Sequence, residues 1–253
     1  MSPVRMWAGW DTAVMTELRG VLWDMDGTLV DSEKLWTVAL NELMATFGTP
    51  ITPAVRTSLV GSNMRRTGLI LLAEAGVEPT EQALADFARS LHERMAVLMR
   101  GDLVWRPGAR DALRSVRQSG VRTALVTSTE RVLTEIALDS IGREFFDVTV
   151  CGDEVDGDNK PHPRPYLLAA ELLGVDPADC VAVEDSVTGV TSAVAAGCTV
   201  LVVPAEAPVP PGERRVLRDS LVGVDADLLA GLLAARGPAP AAGDTGQDGT
   251  IAW

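Results

Sequence analysis

Runs of residues that are apolar on both faces recur along this chain: LRGVLW (18–23), VRTALVT (121–127), FDVTV (146–150), CVAVE (180–184) and TVLVV (199–203). A strand with one wet face alternates polar and apolar positions. Unbroken apolar runs of this length therefore predict a parallel sheet covered by helices on both sides. Helical segments intervene. PGARDALRSVRQSG has Pro107 near its first turn and stops at Gly120; a helix starts near Glu130; PYLLAAELLG stops at Gly174 and VTGVTSAVAAG at Gly197. Each of these terminal glycines suits the left-handed conformation that closes a helix. The series reads β-α-β-α, which predicts an open α/β fold, a Rossmann-like three-layer core built on a parallel sheet.

Between residue 34 and residue 100 the alternation stops and the pattern becomes helical throughout. In EKLWTVALNELMATFG the apolar Trp36, Leu40, Leu43, Met44 and Phe47 recur at i, i+4, i+7, i+8 and i+11 before Gly48, which makes one apolar helix face. NMRRTGLILLAEAG and TEQALADFARSLHERMAVLMRG continue it, the second with Thr80 as a predicted N-cap. We read a four-helix cap (34–100) inserted into an α/β core made of residues 17–33 and 101–236. Residues 1–16 read as a flexible leader in which Met15 offers an alternative start, and GPAPAAGDTGQDGTIAW (237–253) as a flexible tail.

Composition narrows the function. With 47% hydrophobic and 23% charged residues over 253 positions, disorder as the dominant state is excluded. A formal net charge of −13 argues against a nonspecific nucleic-acid binder, whose affinity comes from clustered Lys and Arg. Nowhere do roughly eighteen apolar residues run together, and the first residues hold no apolar stretch of signal-peptide length, so no membrane association is expected and the cytoplasm is the expected location. Cys151, Cys180 and Cys198 are odd in number, lack CxxC spacing and sit in apolar surroundings, as reduced core residues do. A monomer is the simplest expected state.

Chemistry concentrates at the ends of the predicted strands. In DMDGT (24–28), Asp24 and Asp26 stand at i and i+2 and project the same way, at the carboxyl end of the first strand where open α/β sheets bind ligands. Two like charges so close require a cation, solvent or chemistry. The second strand ends in Thr127, Ser128 and Thr129, hydroxyls able to donate to phosphate oxygens, one of them also explained by helix capping. Lys160 lies in the proline-stiffened loop KPHPRP, and CVAVED closes on Glu184 and Asp185, carboxylates that would be costly after an apolar run without a cation. Neither GxGxxG nor GxxxxGK[ST] occurs, so dinucleotide and P-loop readings lack support. His92 and His162 have no metal-ligand partners at sensible spacing and read as non-catalytic.

Carboxylate pair, hydroxyl, lysine and carboxylate pair, in that order, resemble the four motifs of the haloacid dehalogenase superfamily, over roughly residues 18–235. DSEKLW, KPHPRPYLLAAELLGVDPADCVAVEDSVTG and the following AAG look most like its sugar-phosphate phosphatase and β-phosphoglucomutase branch with a helical cap. The resemblance implies that Asp24 is a nucleophile forming an aspartyl phosphate and that Asp26 protonates the leaving oxygen and then activates water. It implies Mg²⁺ held by Asp24, the carbonyl of Asp26, Asp185 and Glu184, the last directly or through water. Thr127, Ser128 and Lys160 would bind the phosphoryl group of a small phosphorylated metabolite.

Rival members of the superfamily fail on particular residues. Dehalogenases and phosphonatases lack the second aspartate, present here as Asp26; P-type ATPases carry lysine beside the nucleophile; the phosphonatase cap lysine has no counterpart beyond Lys34. Mutases of the branch resemble one another in a histidine and a cap arginine, where this chain has Trp36 and, three residues after Gly61, Met64, with Arg65 and Arg66 next to it. A phosphatase is therefore expected over a mutase. A catalytically silent protein that only binds a phosphometabolite or partner would be expected to lose a motif position, and all four are present.

Overall fold

The computed structural model describes residues 17–59, 64–101, 103–205 and 207–235. The expected leader and tail, and Gly61, lie outside them. In chain order, β1 (Gly20–Trp23) leads into α1 (Glu33–Thr46), α2 (Pro53–Leu59), α3 (Met64–Glu74) and α4 (Glu81–Met99). Then come α5 (Ala109–Ser119), β2 (Arg122–Val126), α6 (Arg131–Ile141), β3 (Val148–Val150) and α7 (Arg164–Leu173). β4 (Cys180–Glu184), α8 (Val187–Ala196), β5 (Thr199–Val202), β6 (Arg215–Leu217) and α9 (Ala226–Ala234) complete it.

The six strands form one sheet in the order β3-β2-β1-β4-β5-β6, every neighbour parallel. Side chains alternate faces along each strand and build two apolar layers. Val21, Trp23, Leu125, Val181, Val183 and Leu201 face α5, α6 and α9, whereas Leu22, Ala124, Val126, Ala182, Val200 and Val202 face α7 and α8. The central strand is dry throughout, which is why its sequence shows no alternation.

Helix punctuation follows local chemistry. Gly120, Gly174 and Gly197 each take the left-handed conformation at a helix end, and the Thr80 side chain accepts from Ala83 N at 3.2 Å to cap α4. Two elements escape the sequence reading. β6 is a three-residue edge strand of partly exposed residues, and α9 is a short apolar helix capped by Asp225, which accepts from Leu228 N at 2.8 Å. Neither has the length or periodicity that marks an element in advance.

The four inserted helices leave the core after β1 and return before α5, and the two crossing segments are tied together: Asp31 N donates to Val104 O at 2.8 Å and Arg106 N to Leu29 O at 2.9 Å. Within the insertion α1 and α3 pack on α4, and the apolar face of α4 buries Leu84, Phe87, Leu91, Met95 and Met99, spaced as one helical stripe. Leu91 is 1% exposed. Truncating Leu91→Ala should therefore destabilise the protein by about 2–5 kcal/mol through lost burial and a residual cavity, read as a lowered urea midpoint.

Candidate active site

Register brings the site together. Trp23 on β1 lies beside Leu125 on β2 and Val183 on β4, so the next residue, Asp24, stands level with Glu184 at the carboxyl edge of the sheet. The chain then turns sharply, with Gly27 N donating to Val30 O at 2.8 Å and Leu29 N to Met25 O at 2.9 Å. Gly27 has φ +83°, and a Cβ there would lie 2.2 Å from Asp185 Oδ2, so only glycine lets this turn approach the end of β4. Asp24, Glu184 and Asp185, all buried, each bring an oxygen within 4.8 Å of one another.

Lys160 enters this cluster from the loop before α7. Its ammonium donates to Asp24 Oδ1 at 2.7 Å, Glu184 Oε1 at 2.7 Å and Val126 O at 2.9 Å, so each of its three protons has an acceptor. Glu184 is saturated too. Oε1 also accepts from Tyr166 OH at 2.7 Å, while Oε2 accepts from Asp185 N at 3.1 Å, Ser186 N at 3.4 Å and Ser186 Oγ at 3.2 Å. The second glycine that geometry requires is Gly189, where a Cβ would fall 1.8 Å from Glu184 Oε1.

Asp26 faces hydroxyls rather than the lysine. Its Oδ2 accepts from Thr127 Oγ1 at 3.1 Å and Thr129 Oγ1 at 2.7 Å, and its Oδ1 accepts a short hydrogen bond from Ser32 Oγ. Thr127 Oγ1 in turn accepts from Thr129 N at 3.0 Å, which folds the loop after β2 into a tight turn. Ser128 is exposed beside this loop, its backbone carbonyl closely covered by Gly152. The structure thus assembles Asp24, Asp26, Thr127, Lys160, Glu184 and Asp185, with Ser128 at the rim. His92 lies apart, its Nε2 3.4 Å from Glu130 Oε2, and His162 Nδ1 accepts from Arg164 N at 3.2 Å.

Four contributors went unassigned in the sequence: Ser32, Thr129, Tyr166 and Ser186. Thr129 belongs to a visible hydroxyl triplet, and Ser32 to DSEKLW, but nothing in the order of residues reveals which hydroxyl faces which carboxylate. The three cysteines are free and buried, and burial pushes the Cys151 thiol up to about 11 and that of Cys180 to about 12.

The electrostatics favour a cation. Burial first, then the Glu184 charge, pushes the Asp24 carboxyl up to about 7 despite Lys160 beside it. Burial and then Asp24 push Asp185 up to about 9. For Lys160 burial alone would favour the neutral amine, but Asp24 and Glu184 outweigh it and hold the ammonium above its ordinary range. Asp24 Oδ2 is buried without a hydrogen-bond partner. An orphaned carboxylate oxygen next to a second strained carboxylate fits a hard divalent cation with oxygen ligands such as Mg²⁺.

Comparison with known proteins agrees with this geometry. Residues 18–197 match the family described as haloacid dehalogenase-like hydrolase, and the chain belongs to that family. It is 35% identical over 184 residues to the phosphorylated carbohydrates phosphatase of Thermotoga maritima, covering 71% of this chain and 82% of that one. It is 33% identical over 202 residues to hexitol phosphatase B of Escherichia coli K12, covering 75% of this chain and 85% of that one. The crystal structure of CbbY from Rhodobacter sphaeroides in complex with phosphate superposes with a TM-score of 0.75 at 31% identity, covering 84% of this chain and 99% of that chain.

The raised carboxyls have a measurable consequence. Folded Asp24 and Asp185 bind protons more tightly than the unfolded chain, whose carboxyls titrate near 3.8, so the metal-free native state loses relative stability as pH rises from about 4 through 7 and 9. These two groups should make the melting temperature of metal-free protein fall across that window, and added Mg²⁺ should raise it most at the alkaline end. Scanning fluorimetry with and without chelator reads both.

Proposed function

We propose that this chain is a Mg²⁺-dependent phosphatase that hydrolyses a small phosphorylated metabolite, a sugar or sugar-alcohol phosphate, through an aspartyl phosphate on Asp24. The observation that carries the proposal is the paired state of Asp24: one carboxylate oxygen 2.7 Å from a buried ammonium and the other without a partner beside Asp185. Asp24, Asp185 and the backbone carbonyl of Asp26 would hold the metal, with Glu184, already saturated by donors, acting through water. Bound there, Mg²⁺ would neutralise the phosphoryl oxygens and so lower the repulsion that keeps an anionic nucleophile from phosphorus.

Asp24 attacks phosphorus and the bond to the leaving oxygen breaks, while Asp26, in its acid form, gives that oxygen a proton. Asp26 is then a carboxylate and takes a proton from water as that water attacks the aspartyl phosphate, releasing inorganic phosphate and restoring Asp24. The hydroxyls of Ser32, Thr127 and Thr129 suit this dual role, because each can rotate to donate to the carboxylate or accept from the acid. Lys160 and Thr127, with Ser128 at the rim, hold the transferring phosphoryl group. Relatives named as a phosphorylated carbohydrates phosphatase and a hexitol phosphatase support the substrate class. We place the enzyme in the cytoplasm, where its buried thiols stay reduced; among the described residues no helix is long and apolar enough to cross a membrane.

Hydrolysis is favoured over phosphosugar mutation by two side chains. Trp36 packs against the apolar core and carries no proton-transfer group, and Arg65 is engaged by Glu81 through contacts of 2.9 and 2.6 Å. With β-glucose 1-phosphate and a trace of the 1,6-bisphosphate, free phosphate should therefore exceed glucose 6-phosphate, and the reverse would promote the mutase.

Purified protein screened against sugar and hexitol phosphates should release inorganic phosphate with Mg²⁺ and stop on chelation. Asp24→Asn should lower turnover by more than about a thousandfold while keeping its circular dichroism, and Asp26→Asn should slow both transfer steps. Unimpaired turnover by Asp24→Asn would remove the covalent mechanism.

A further inference from the structure

Tyr166 is the one tyrosine of the chain, fully buried on the sheet face covered by α7 and α8. A core position of this kind needs no hydroxyl, since phenylalanine fills nearly the same space and leaves no polar atom to satisfy. Here the hydroxyl ends on a carboxylate: it donates to Glu184 Oε1 at 2.7 Å, the oxygen that also accepts from Lys160 at 2.7 Å. The ring lies under the same ammonium, its centroid 5.1 Å from Nζ. Strand alternation explains the meeting, because Ala182 and Glu184 project to the side on which Tyr166 packs.

Asp24 and Glu184 compete for Lys160. Both contacts measure 2.7 Å, both are buried, and a shift toward Glu184 is a shift away from Asp24. Glu184 Oε2 is fixed by Ser186 and by the backbone N–H of Asp185, which leaves Oε1 to be fixed by Tyr166. A second donor on one oxygen also takes up part of its acceptor capacity and weakens its hold on the first.

We propose that Tyr166 is a positioning residue for phosphoryl transfer: its hydroxyl anchors Glu184 Oε1 so that Lys160 stays in register with Asp24 and can turn a proton toward the transferring phosphoryl group. This rests on the phosphatase reading above. Tyr166 acts through Glu184 and Lys160 and has no role as an acid, base or metal ligand.

Tyr166→Phe removes only the hydroxyl. Its kcat should fall about tenfold with KM changed less than about twofold. The chain has two lysines, Lys34 on the surface and Lys160 in the site, so isotopic labelling of lysine gives two side-chain resonances. In metal-free Tyr166→Phe the Lys160 resonance should move while that of Lys34 stays. Biosynthetic 3-fluorotyrosine, which labels this one position, keeps a hydroxyl and makes it a stronger donor, so Lys160 should move the opposite way; this version remains informative if the phenylalanine variant does not fold. A purely structural tyrosine would lower the melting temperature and leave both the Lys160 resonance and kcat per folded molecule unchanged, which overturns the proposal. An unmoved Lys160 resonance overturns it even if wild-type protein hydrolyses no phosphate ester, whereas that lack of hydrolysis alone defeats only the phosphatase reading.

Discussion

Three carboxylates and one ammonium meet where β1 and β4 end, and the balance among those charges governs the surrounding structure. Asp24, Glu184 and Asp185 are buried, and Lys160 neutralises one charge of the three. With all three carboxyls ionised, one divalent cation would offset the negative charge that remains. Burial first, and then the neighbouring carboxylates, raises the Asp24 and Asp185 carboxyls, and Asp24 Oδ2 has no hydrogen-bond partner. A site short of cationic charge favours a divalent cation, whose charge would offset that deficit.

The sheet makes such a cluster tolerable. Parallel strands that are dry on both faces end at one edge, where the chain leaves the apolar layers and its side chains meet neighbouring loops. Close approach is then decided by what is missing at Gly27 and Gly189, where a Cβ would collide with the carboxylates of Asp185 and Glu184. Both oxygens of Glu184 accept from several donors, Lys160 and Tyr166 on one and Asp185 N and Ser186 on the other, so this carboxylate serves as a fixed charge around which Lys160 is oriented.

The helical insertion is bound to the same machinery. Its two crossing segments hydrogen-bond to each other immediately after the turn that carries Asp26, and Ser32, in the first of them, donates to the Asp26 carboxylate. On the far side α4 packs against α6, where His92 lies 3.4 Å from Glu130, next to the loop that presents Thr127 and Thr129. The insertion therefore borders Asp26 on two sides, through Ser32 and beside the loop that carries Thr127 and Thr129.

Much of this was legible in one dimension. Apolar runs identified five of the strands, terminal glycines and Thr80 marked helix ends, carboxylates at the ends of apolar strands singled out Asp24, Asp26, Glu184 and Asp185, and a proline-stiffened loop ahead of a helix singled out Lys160. Burial patterns and strand ends are local properties, written in the composition of each segment. The edge strand β6 and the helix α9 were not legible, since each is short and its apolar content is set by what it lies against. Pairing was decided only in three dimensions: that Lys160, 136 residues from Asp24, divides itself between Asp24 and Glu184, that Thr129 faces Asp26, and that Tyr166 spends its hydroxyl on Glu184. Hydrogen bonds and buried charge pairs depend on ångström distances between distant segments, and those distances are fixed by strand register and layer packing, which no single segment encodes.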